Sequence, residues 1–542
     1  MFNKNDITEL TITDITDEGN GVGKADGFAV FVPFSAVGDK LSVKIVKTQK
    51  SYAYGIIDRI IVPSENRIEI DCPVFKKCGG CSLRHISYKS ELSVKDNMVR
   101  NAFKRIGGVE PIFEEILGCD ETDYYRNKAQ YPVSKIDGKA GFGFYAQRSH
   151  RVIPFADCRL QPEIFAEISK KVLEIAVKKG ISPYDEISNT GLLRHIFLRR
   201  GYHSGEIMLC LVVRKNCIRE IKSLANEIIP LYPEIKTVVM NINPNKTNVI
   251  MGKETEAIYG DGVIFDEMCG NKIKLAPEAF YQVNTKQAER LYEIASEYAD
   301  LKGDETLLDL YCGAGTIGLS MAKKVKKLIG VEIIPEAIEN AKENAIRNNI
   351  DNAEFICGDA GKVASELIAK GIRPDVIVLD PARKGCDNVA LDAIIKMNPQ
   401  KIVYISCNPA TCARDLKILS ENGYKAEKAR AVDMFPRTNH CETVVLLSRE
   451  KADDHIRFSI NTEDLKKNVG GYATYGDIKA YVLEKFGLKV SSLYIAQTKD
   501  KCGIKERENY YIGEGKSKEL ICPPEKEKAI MDAFRHFGML RD

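Results

Sequence analysis

The stretch KIVYISCNPATCARDL places Cys407 where a buried strand is expected to give way to a helix. Residues 402–405 form a short apolar run typical of a strand covered on both faces, and Asn408-Pro409 supplies a helix cap followed by proline in the first turn. Ligands of open α/β sheets bind at the carboxyl ends of strands, and a helix N-terminus favours a thiolate. Cys407 is therefore a candidate nucleophile, although a free cysteine is more often a small core residue.

The stretch RTNHCETVVLLSR places two groups that can move protons beside another apolar strand. Glu442 comes directly before the run 443–447, and His440 lies two residues earlier. A carboxylate or an imidazole can act as a general base. A glutamate at the start of a strand is usually an exposed surface residue, so position alone leaves three interpretations open: Glu442 as base, His440 as base, or neither.

The stretch TLLDLYCGAGTIGLSMAKK runs from a buried strand through Gly313, Gly315 and Gly318 into a helix. A lone G-x-G-x-x-G does not separate a dinucleotide site from an S-adenosylmethionine site, and it can also be a purely structural turn. Asp309, four residues before the first glycine, favours the D-x-x-x-G-x-G loop of methyltransferases. Glu332 ends the next strand-like run, where an acid can take ribose hydroxyls.

The surrounding region, about 281–450, alternates strand and helix, as a doubly wound sheet requires. DVIVLDPARKG is the fourth strand-like run and ends at Asp380-Pro381. This end is expected to face cofactor and substrate, and the following strand delivers Cys407 to the same edge of the sheet.

A second set of thiols comes earlier, where DCPVFKKCGGCSLRHISY spaces Cys72, Cys78 and Cys81 as Cys-x5-Cys-x2-Cys. Zinc sites usually show two close pairs, whereas an iron-sulfur cluster tolerates uneven spacing and a distant fourth ligand. The spacing therefore favours a cluster over zinc and over three unligated cysteines. Spacing does not choose among the candidates for a fourth ligand, which are Cys119, Cys158, Cys210 and Cys217.

The chain has 542 residues, enough for roughly three or four domains. No apolar run reaches the length of a membrane span, and the N-terminus shows no signal-peptide core, so we expect a cytoplasmic protein. In a reducing compartment its 16 cysteines are metal ligands, catalytic thiols or core residues, not a disulfide framework. A net charge of +3 does not by itself identify a nucleic-acid binder.

Residues 1–60 alternate apolar and polar positions between glycine-rich turns, which predicts a small β-barrel of about five strands. Basic and aromatic side chains share one region of it, as an RNA-binding face would need, although solvated strand edges also carry lysines. These residues are Lys44, Lys47, Lys50, Tyr52 and Tyr54.

The central region, about 61–280, mixes helical and strand-like patterns, and basic residues crowd NTGLLRHIFLRRGYHSG. These side chains either contact phosphates or form a solvated face; they are Arg194, His195, Arg199 and Arg200. The tail, about 451–542, predicts a helix pair broken at Phe486-Gly487 and a terminal helix. The tail is either an RNA-binding module or a packing appendage.

Taken together, these motifs resemble the RNA uracil-5-methyltransferase family, S-adenosylmethionine-dependent enzymes that make 5-methyluridine in bacterial ribosomal and transfer RNA. The resemblance covers residues 1 to about 450 and includes, in order, CPVFKKCGGCSLRH, FADCRLQ, FYQVN, DLYCGAGTIGLS, DPARKG, SCNPAT and HCETVVLLSR. It implies a multidomain α/β protein: a TRAM-like, OB-like barrel at 1–60, a central α+β iron-sulfur domain at 61–280, a Rossmann-like methyltransferase domain at 281–450 and a helical tail at 451–542.

The resemblance also implies roles for individual residues. Cys407 falls on the nucleophile and Glu442 on the base. Cys158 becomes the fourth ligand of a four-iron four-sulfur (4Fe-4S) cluster with Cys72, Cys78 and Cys81. The positions that fall on cofactor contacts or on the glycine loop are Gln282, Tyr311, Gly313, Gly315, Glu332 and Asp380.

The expected substrate is a uridine of 23S ribosomal RNA, because the four cluster cysteines resemble those of the ribosomal-RNA members of the family. The resemblance also implies that Arg194, His195 and Arg199 face this RNA. We expect the enzyme to act as a monomer. Transfer RNA is the alternative substrate. Two other classes remain: a non-catalytic RNA-binding iron-sulfur protein and a nucleotide-dependent oxidoreductase. Cys386 follows the Asp380 motif where RNA cytosine-5-methyltransferases can carry a second cysteine, whereas Cys412 and Cys441 are expected to be packing residues.

Overall fold

The computed structural model of the protein describes residues 2–450, 473–502, 504 and 522–540. The chain divides into two compact units, Met1–Glu450 and Lys451–Asp542. The first unit contains a closed barrel, a seven-stranded sheet, a two-stranded hairpin and an eight-stranded sheet. Among the described helices, none is long and apolar enough to cross a membrane.

The N-terminal barrel closes in the strand order β1-β2-β3-β5-β4, which confirms the predicted small β-barrel. Alternate side chains point inward, so that Val30, Val32 and Val43 are fully buried. The strands are β1 (Ile7–Ile15), β2 (Asn20–Ala25), β3 (Phe28–Pro33), β4 (Lys40–Thr48) and β5 (Tyr52–Val62).

A helical segment then connects the barrel to the later sheets. Helix α1 (Tyr88–Ala102) begins after Ser87, whose hydroxyl accepts the N–H of Ser90 at 3.3 Å. It continues as a π-helical turn to Gly107, and Gly108 follows in the left-handed conformation. The short strand β6 (Ile112–Phe113) becomes the edge of the eight-stranded sheet.

The central domain is a sheet in the order β13-β12-β11-β10-β7-β8-β9. Helices α2 and α3 cover one face, and residues 264–299 pack on the other, so the middle strands β10 and β11 are buried on both sides. The elements are β7 (Lys128–Ile136), β8 (Lys139–Tyr145), β9 (Val152–Pro154), α2 (Glu163–Lys178), β10 (Leu193–Arg200), β11 (Ile207–Val213), α3 (Ile218–Ile228), β12 (Ile235–Ile242), β13 (Glu254–Tyr259), and the hairpin β14 (Ile264–Met268) and β15 (Asn271–Leu275).

This burial shows that the expected RNA contacts of Arg194, His195 and Arg199 are wrong. All three lie on the middle strand β10 and are almost completely buried. Arg199 donates from Nη1 to the carbonyl of Ala276 at 2.6 Å and from Nη2 to that of Ala279 at 2.8 Å. Arg194 likewise donates to two carbonyls of the loop after β12. These guanidinium groups hold loops onto the sheet and do not face solvent.

The last large domain is the predicted doubly wound sheet, in the order β18-β17-β16-β19-β20-β22-β21-β6. Strands β16 to β20 are parallel, and β22 runs antiparallel to both of its neighbours. The elements are α4 (Thr285–Ala299), β16 (Thr306–Leu310), α5 (Thr316–Met321), β17 (Lys327–Glu332), α6 (Pro335–Arg347), β18 (Ala353–Cys357), α7 (Ala360–Ala369), β19 (Val376–Leu379), α8 (Asn388–Met397), β20 (Lys401–Ser406), α9 (Pro409–Ser420), β21 (Tyr424–Val432) and β22 (Glu442–Arg449).

The described part of the tail contains the predicted helices. These are α10 (Tyr475–Phe486), α11 (Ser492–Lys501) and α12 (Pro524–His536). Gly487 ends α10 in the left-handed conformation, which confirms the predicted break. The three helices share a core that includes Ile478, Ile495 and Phe534. Residues 451–472 and 505–521 of the predicted module lie outside the described residues.

We predict that replacing Arg199 with Met lowers the free energy of unfolding by about 3 kcal/mol, because the two hydrogen bonds from its buried guanidinium to main-chain carbonyls are lost. Urea unfolding measures this change. Arg200→Met, at the half-buried end of the same strand, is the matched control and should cost less. A loss of RNA affinity by folded Arg199→Met with unchanged unfolding would restore the RNA-contact interpretation.

Candidate active site

Cys407 and Glu442 lie side by side at the carboxyl edge of the parallel strands. The antiparallel register pairs Ser406, the last residue of β20, with Thr443 of β22. The next position on each strand therefore sets Cys407 beside Glu442. Helix α9 begins immediately afterwards with Asn408 as its cap, as the sequence predicted.

The free protein holds Cys407 as a thiol. Burial raises the pKa of Cys407 to about 11, the negative charges of Glu442 and Asp380 raise it further, and the charge of Arg383 opposes them. The stabilisation that a helix N-terminus offers a thiolate is therefore not sufficient to ionise Cys407 in the protein without substrates. Desolvation and two neighbouring carboxyl groups outweigh the helix dipole.

Three carboxyl groups lie at this edge of the sheet; Asp309 and Glu442 are buried, and Asp380 is half-buried. Burial raises the pKa of Glu442 to about 8, and the charge of Asp380 adds to the effect. Burial likewise raises the pKa of Asp380 to about 7 and that of Asp309 to about 8. All three therefore titrate near neutral pH, where a group can both take up and release a proton.

The glycine loop and Glu332 form one end of the candidate cofactor site. Pairing of Leu310 with Val331 sets Tyr311 beside Glu332, and the N–H of Gly313 donates to Glu332 Oε2 at 3.2 Å. Gly313 has φ +54°, and a β-carbon there would meet no atom within 4 Å. The residues thus offer an acid and an open, side-chain-free cradle, which fits a nucleoside such as that of S-adenosylmethionine.

Gln282 and Asp380 also lie near the glycine loop. Gln282 hydrogen-bonds the hydroxyl of Tyr292, which lies 3.2 Å from Oγ1 of Thr316 in the first turn of α5. Asp380 follows β19, and its N–H approaches the carbonyl of Leu310 at 3.4 Å. The structure therefore brings Gln282, the glycine loop and Asp380 to one edge.

Arg383 is a site residue that the sequence reasoning did not single out. Its carbonyl accepts hydrogen bonds from Asn408 Nδ2 and Thr411 Oγ1, each at 3.1 Å. Its side chain is exposed, and its positive charge lowers the pKa of both Cys407 and Glu442. The signal lay in DPARKG, where a cation follows the acid of the sheet edge by three residues.

His440 is also near the site but is a weaker base than Glu442. Burial lowers its pKa to about 4, with the charge of Arg383 adding to the effect. Its ring meets that of Phe435 edge to face, with centroids 6.1 Å apart. His440 is therefore neutral at pH 7, and its basicity is lower than that of Glu442, whose pKa is about 8.

The other cysteines of this domain pack inside it. Cys412 and Cys441 are buried, as predicted. Cys386 is also buried; the hydroxyl of Tyr404 lies 3.8 Å from its sulfur, and its N–H donates to Asp415 at 2.8 Å. Burial raises its pKa to about 12. Cys386 therefore lacks the exposure that a second nucleophile needs.

The three cysteines of the early motif and Cys158 lie near one another. Burial raises the pKa of both Cys81 and Cys158 to about 11, and the charges of the other thiols raise both further. Arg84 opposes this effect at Cys81, and the N–H of Gly80 lies 3.4 Å from Cys78 Sγ. Within the described residues, no group of three or more His, Cys, Asp or Glu side chains is arranged so that it could hold a metal ion.

The barrel presents an aromatic group on β3 and β5. The rings of Phe31, Tyr52 and Tyr54 lie with centroids 5.4, 5.7 and 5.6 Å apart, and all three are half-buried. Lys47 is exposed and pairs with Tyr54 across β4 and β5. RNA binding by this face stays a prediction, as does RNA binding by the tail.

Comparison with family models gives two matches. The model of tRNA (uracil-5-)-methyltransferases matches residues 87–450, and the model of the TRAM domain matches residues 3–57.

Individual relatives agree with these matches. An RNA methyltransferase of Halalkalibacterium halodurans is 44% identical over 446 residues, covering 82% of this chain and 97% of the relative. One of Clostridium tetani is 45% identical over 445 residues, with the same coverage. Among solved structures, the Pyrococcus abyssi tRNA (uracil-54, C5)-methyltransferase in complex with S-adenosyl-L-homocysteine is 26% identical with a TM-score of 0.65, covering 81% of this chain and 100% of that chain.

We predict that Glu442→Gln becomes more stable relative to wild type as the pH rises from 5 to 9. The pKa of Glu442 is raised from 4.5 to about 8 on folding, so the folded state binds the proton more tightly and wild type loses stability across this window. Melting temperatures at both pH values measure the difference. Glu450→Gln, exposed just after β22, is the matched control. A difference that shrinks with rising pH would contradict the buried position of Glu442.

Proposed function

Because the chain belongs to the tRNA (uracil-5-)-methyltransferase family, we propose that it methylates carbon 5 of a uridine in 23S ribosomal RNA through a covalent Cys407 adduct. The enzyme is an S-adenosylmethionine-dependent RNA (uracil-5-)-methyltransferase. The observation that carries the proposed mechanism is the strand register that sets Cys407 beside Glu442.

Carbon 5 of uracil is a poor nucleophile, which explains why a thiol is needed. Once deprotonated, Cys407 Sγ adds to carbon 6, and the electrons of the 5,6 double bond become those of an enolate whose carbon 5 is nucleophilic. S-adenosylmethionine, when bound, supplies the electrophilic methyl group. Because the pKa of Cys407 is raised, the thiol must lose its proton when the RNA enters; Asp380, the second carboxyl group beside it, can take this proton, which leaves Glu442 free to accept the carbon 5 proton later.

The methylated adduct must then lose the carbon 5 proton. Glu442 is placed to accept it, after which the 5,6 double bond re-forms and the bond from carbon 6 to Cys407 Sγ breaks. A pKa of about 8 makes Glu442 a far stronger base than His440, whose pKa is about 4. The order of pKa values supports Glu442 in this role.

We propose cofactor contacts for residues at the same edge of the sheet. Glu332 would hold the ribose hydroxyls, and Gly313 and Gly315 would leave room for the nucleoside. Tyr311, Gln282 and Asp380 would make further contacts to the same cofactor. A glycine loop joined to a nucleophile and a base does not suit a non-catalytic RNA-binding protein or an oxidoreductase.

The choice of 23S ribosomal RNA rests on the four clustered cysteines, which the ribosomal-RNA members of the family carry. The target carbon is inaccessible within a stacked helix, so the uridine must be flipped out or presented in a loop. Transfer RNA is the second candidate, since the Pyrococcus abyssi neighbour is a transfer-RNA enzyme.

We also propose that Cys72, Cys78, Cys81 and Cys158 hold a 4Fe-4S cluster. Four soft sulfur donors suit iron-sulfur chemistry, and their mutual influence on each other's pKa supports a shared site. Arg84, next to Cys81, supplies a positive charge that favours thiolates. When bound, the cluster would tie the Cys78 loop to Cys158 across the central domain.

For the catalytic residues, we predict that Cys407→Ala binds S-adenosylmethionine but forms no 5-methyluridine. Glu442→Gln should accumulate a covalent RNA adduct, because the step that releases it is blocked. Denaturing gels with end-labelled RNA measure the adduct, and Cys412→Ala, a buried cysteine of the adjoining helix α9, is the matched control. Appreciable turnover by Cys407→Ala would reject the mechanism.

For the cluster, we predict that Cys78→Ser purified without oxygen loses the visible absorbance and the bound iron of wild type, because one thiolate ligand is replaced. Cys119→Ser, a buried cysteine outside the proposed set, should keep both signals. Unchanged iron content in Cys78→Ser would contradict the cluster assignment.

A further inference from the structure

Residues 433–441 form a segment that links three parts of the protein to Glu442. The segment follows β21, has no helix or strand, and ends where β22 begins with Glu442. Its main-chain carbonyls accept hydrogen bonds from distant regions. The donors are Ser82 N and Leu83 N to Arg437 at 3.0 Å each, Tyr125 Oη to Pro436 at 3.0 Å, and Asn284 Nδ2 to Met434 at 3.1 Å.

A buried lysine lies at the centre of these contacts. Lys95 Nζ, on α1, donates to Asp433 Oδ1 at 2.6 Å, to Glu91 Oε1 at 2.7 Å and to the carbonyl of Phe435 at 3.2 Å. Lys95, Glu91 and Asp433 are all 0% exposed. The ammonium group thus donates all three of its protons in hydrogen bonds, and two of the acceptors lie in the 433–441 segment.

The same group of buried residues also contacts Arg437, near the end of the 433–441 segment. Glu91 Oε1 accepts the N–H of Arg437 at 2.7 Å, and Tyr88 Oη donates to Asp433 Oδ2 at 2.8 Å. Arg437 has φ +70°, a conformation that non-glycine residues rarely adopt and that surrounding contacts must hold. Lys95 therefore holds the 433–441 segment directly through its hydrogen bond to Asp433 and indirectly through Glu91, which binds Arg437.

We propose that Lys95 is a positioning residue for Glu442: by holding the 433–441 segment, it fixes where the base meets the ring. The proposal rests on the proposed role of Glu442. Cys407 is held by β20 and the cap of α9, whereas the hydrogen bonds of Lys95 go to Glu91, Asp433 and Phe435. Loss of Lys95 should therefore impair proton removal more than nucleophilic addition and methyl transfer.

The test is Lys95→Met, followed in a single turnover with radiolabelled S-adenosylmethionine and RNA. We expect release of methylated RNA to slow by about tenfold or more, as displacement of a catalytic group does, so that methylated adduct accumulates. The rate of methyl incorporation should change much less. Parallel losses in both steps, or no change in either, would overturn the proposal.

Two further variants keep the test decisive. Arg100→Met, on the same helix, removes a solvent-accessible pair with Asp96 and should leave the partition between adduct and product unchanged. If Lys95→Met does not fold, because it leaves two buried carboxylates without their cation, Tyr88→Phe removes one hydrogen bond to Asp433 and should accumulate adduct to a smaller extent. An unchanged partition in Tyr88→Phe would then overturn the proposal.

Failure of the proposed function would look different. If Glu442→Gln accumulates no adduct with an RNA that wild type methylates, the proposed role of Glu442 is wrong. The proposed role of Lys95 is then wrong as well, because it depends on that of Glu442. If Glu442→Gln accumulates adduct but folded Lys95→Met gives the same ratio of adduct to released product as wild type, only the positioning role of Lys95 is wrong.

Discussion

The antiparallel pairing of β22 with β20 is the constraint on which the active site depends. The carboxyl ends of β16, β17, β19 and β20 meet at one edge of the sheet, and an antiparallel strand begins where its parallel neighbours end. Glu442 thus reaches the edge that carries Cys407 and Asp380, although it starts its strand. A slip of one residue in this register would turn Glu442 to the other face.

Burial then determines the chemistry of this edge. Glu442, Asp380 and Asp309 have raised pKa values because desolvation penalises their charged forms, and the same effect keeps Cys407 protonated in the free protein. A thiol is also less readily oxidised than a thiolate. Arg383 is the described cation that opposes these shifts at Cys407 and Glu442.

Much of this arrangement follows from local sequence. The barrel, the doubly wound sheet, the junction at Cys407 and the break at Gly487 were all predictable, because alternation, glycine turns and helix caps act over a few residues. The central domain was less predictable from the sequence. Arg199 looked like an RNA contact because charge usually indicates solvent, but β10 lies in the middle of a sheet covered on both faces.

Long-range contacts set the limit of sequence reasoning. Lys95 and Asp433 are 338 residues apart and fully buried together, and neither belongs to a motif. Arg383 was visible in DPARKG, but its place beside Cys407 depends on the clamp that Asn408 and Thr411 make on its carbonyl. The protonation state of Cys407 was also beyond the sequence, since it depends on neighbours brought together by the fold.

The most direct test is methyl transfer from radiolabelled S-adenosylmethionine into unmodified 23S ribosomal RNA and, in parallel, transfer RNA, with the products digested to nucleosides. Our account predicts label in 5-methyluridine from ribosomal RNA with wild type and none with the alanine variant of Cys407. Label in transfer RNA alone would keep the chemistry and change the substrate. No label in either RNA, from protein that binds the cofactor, would contradict the account.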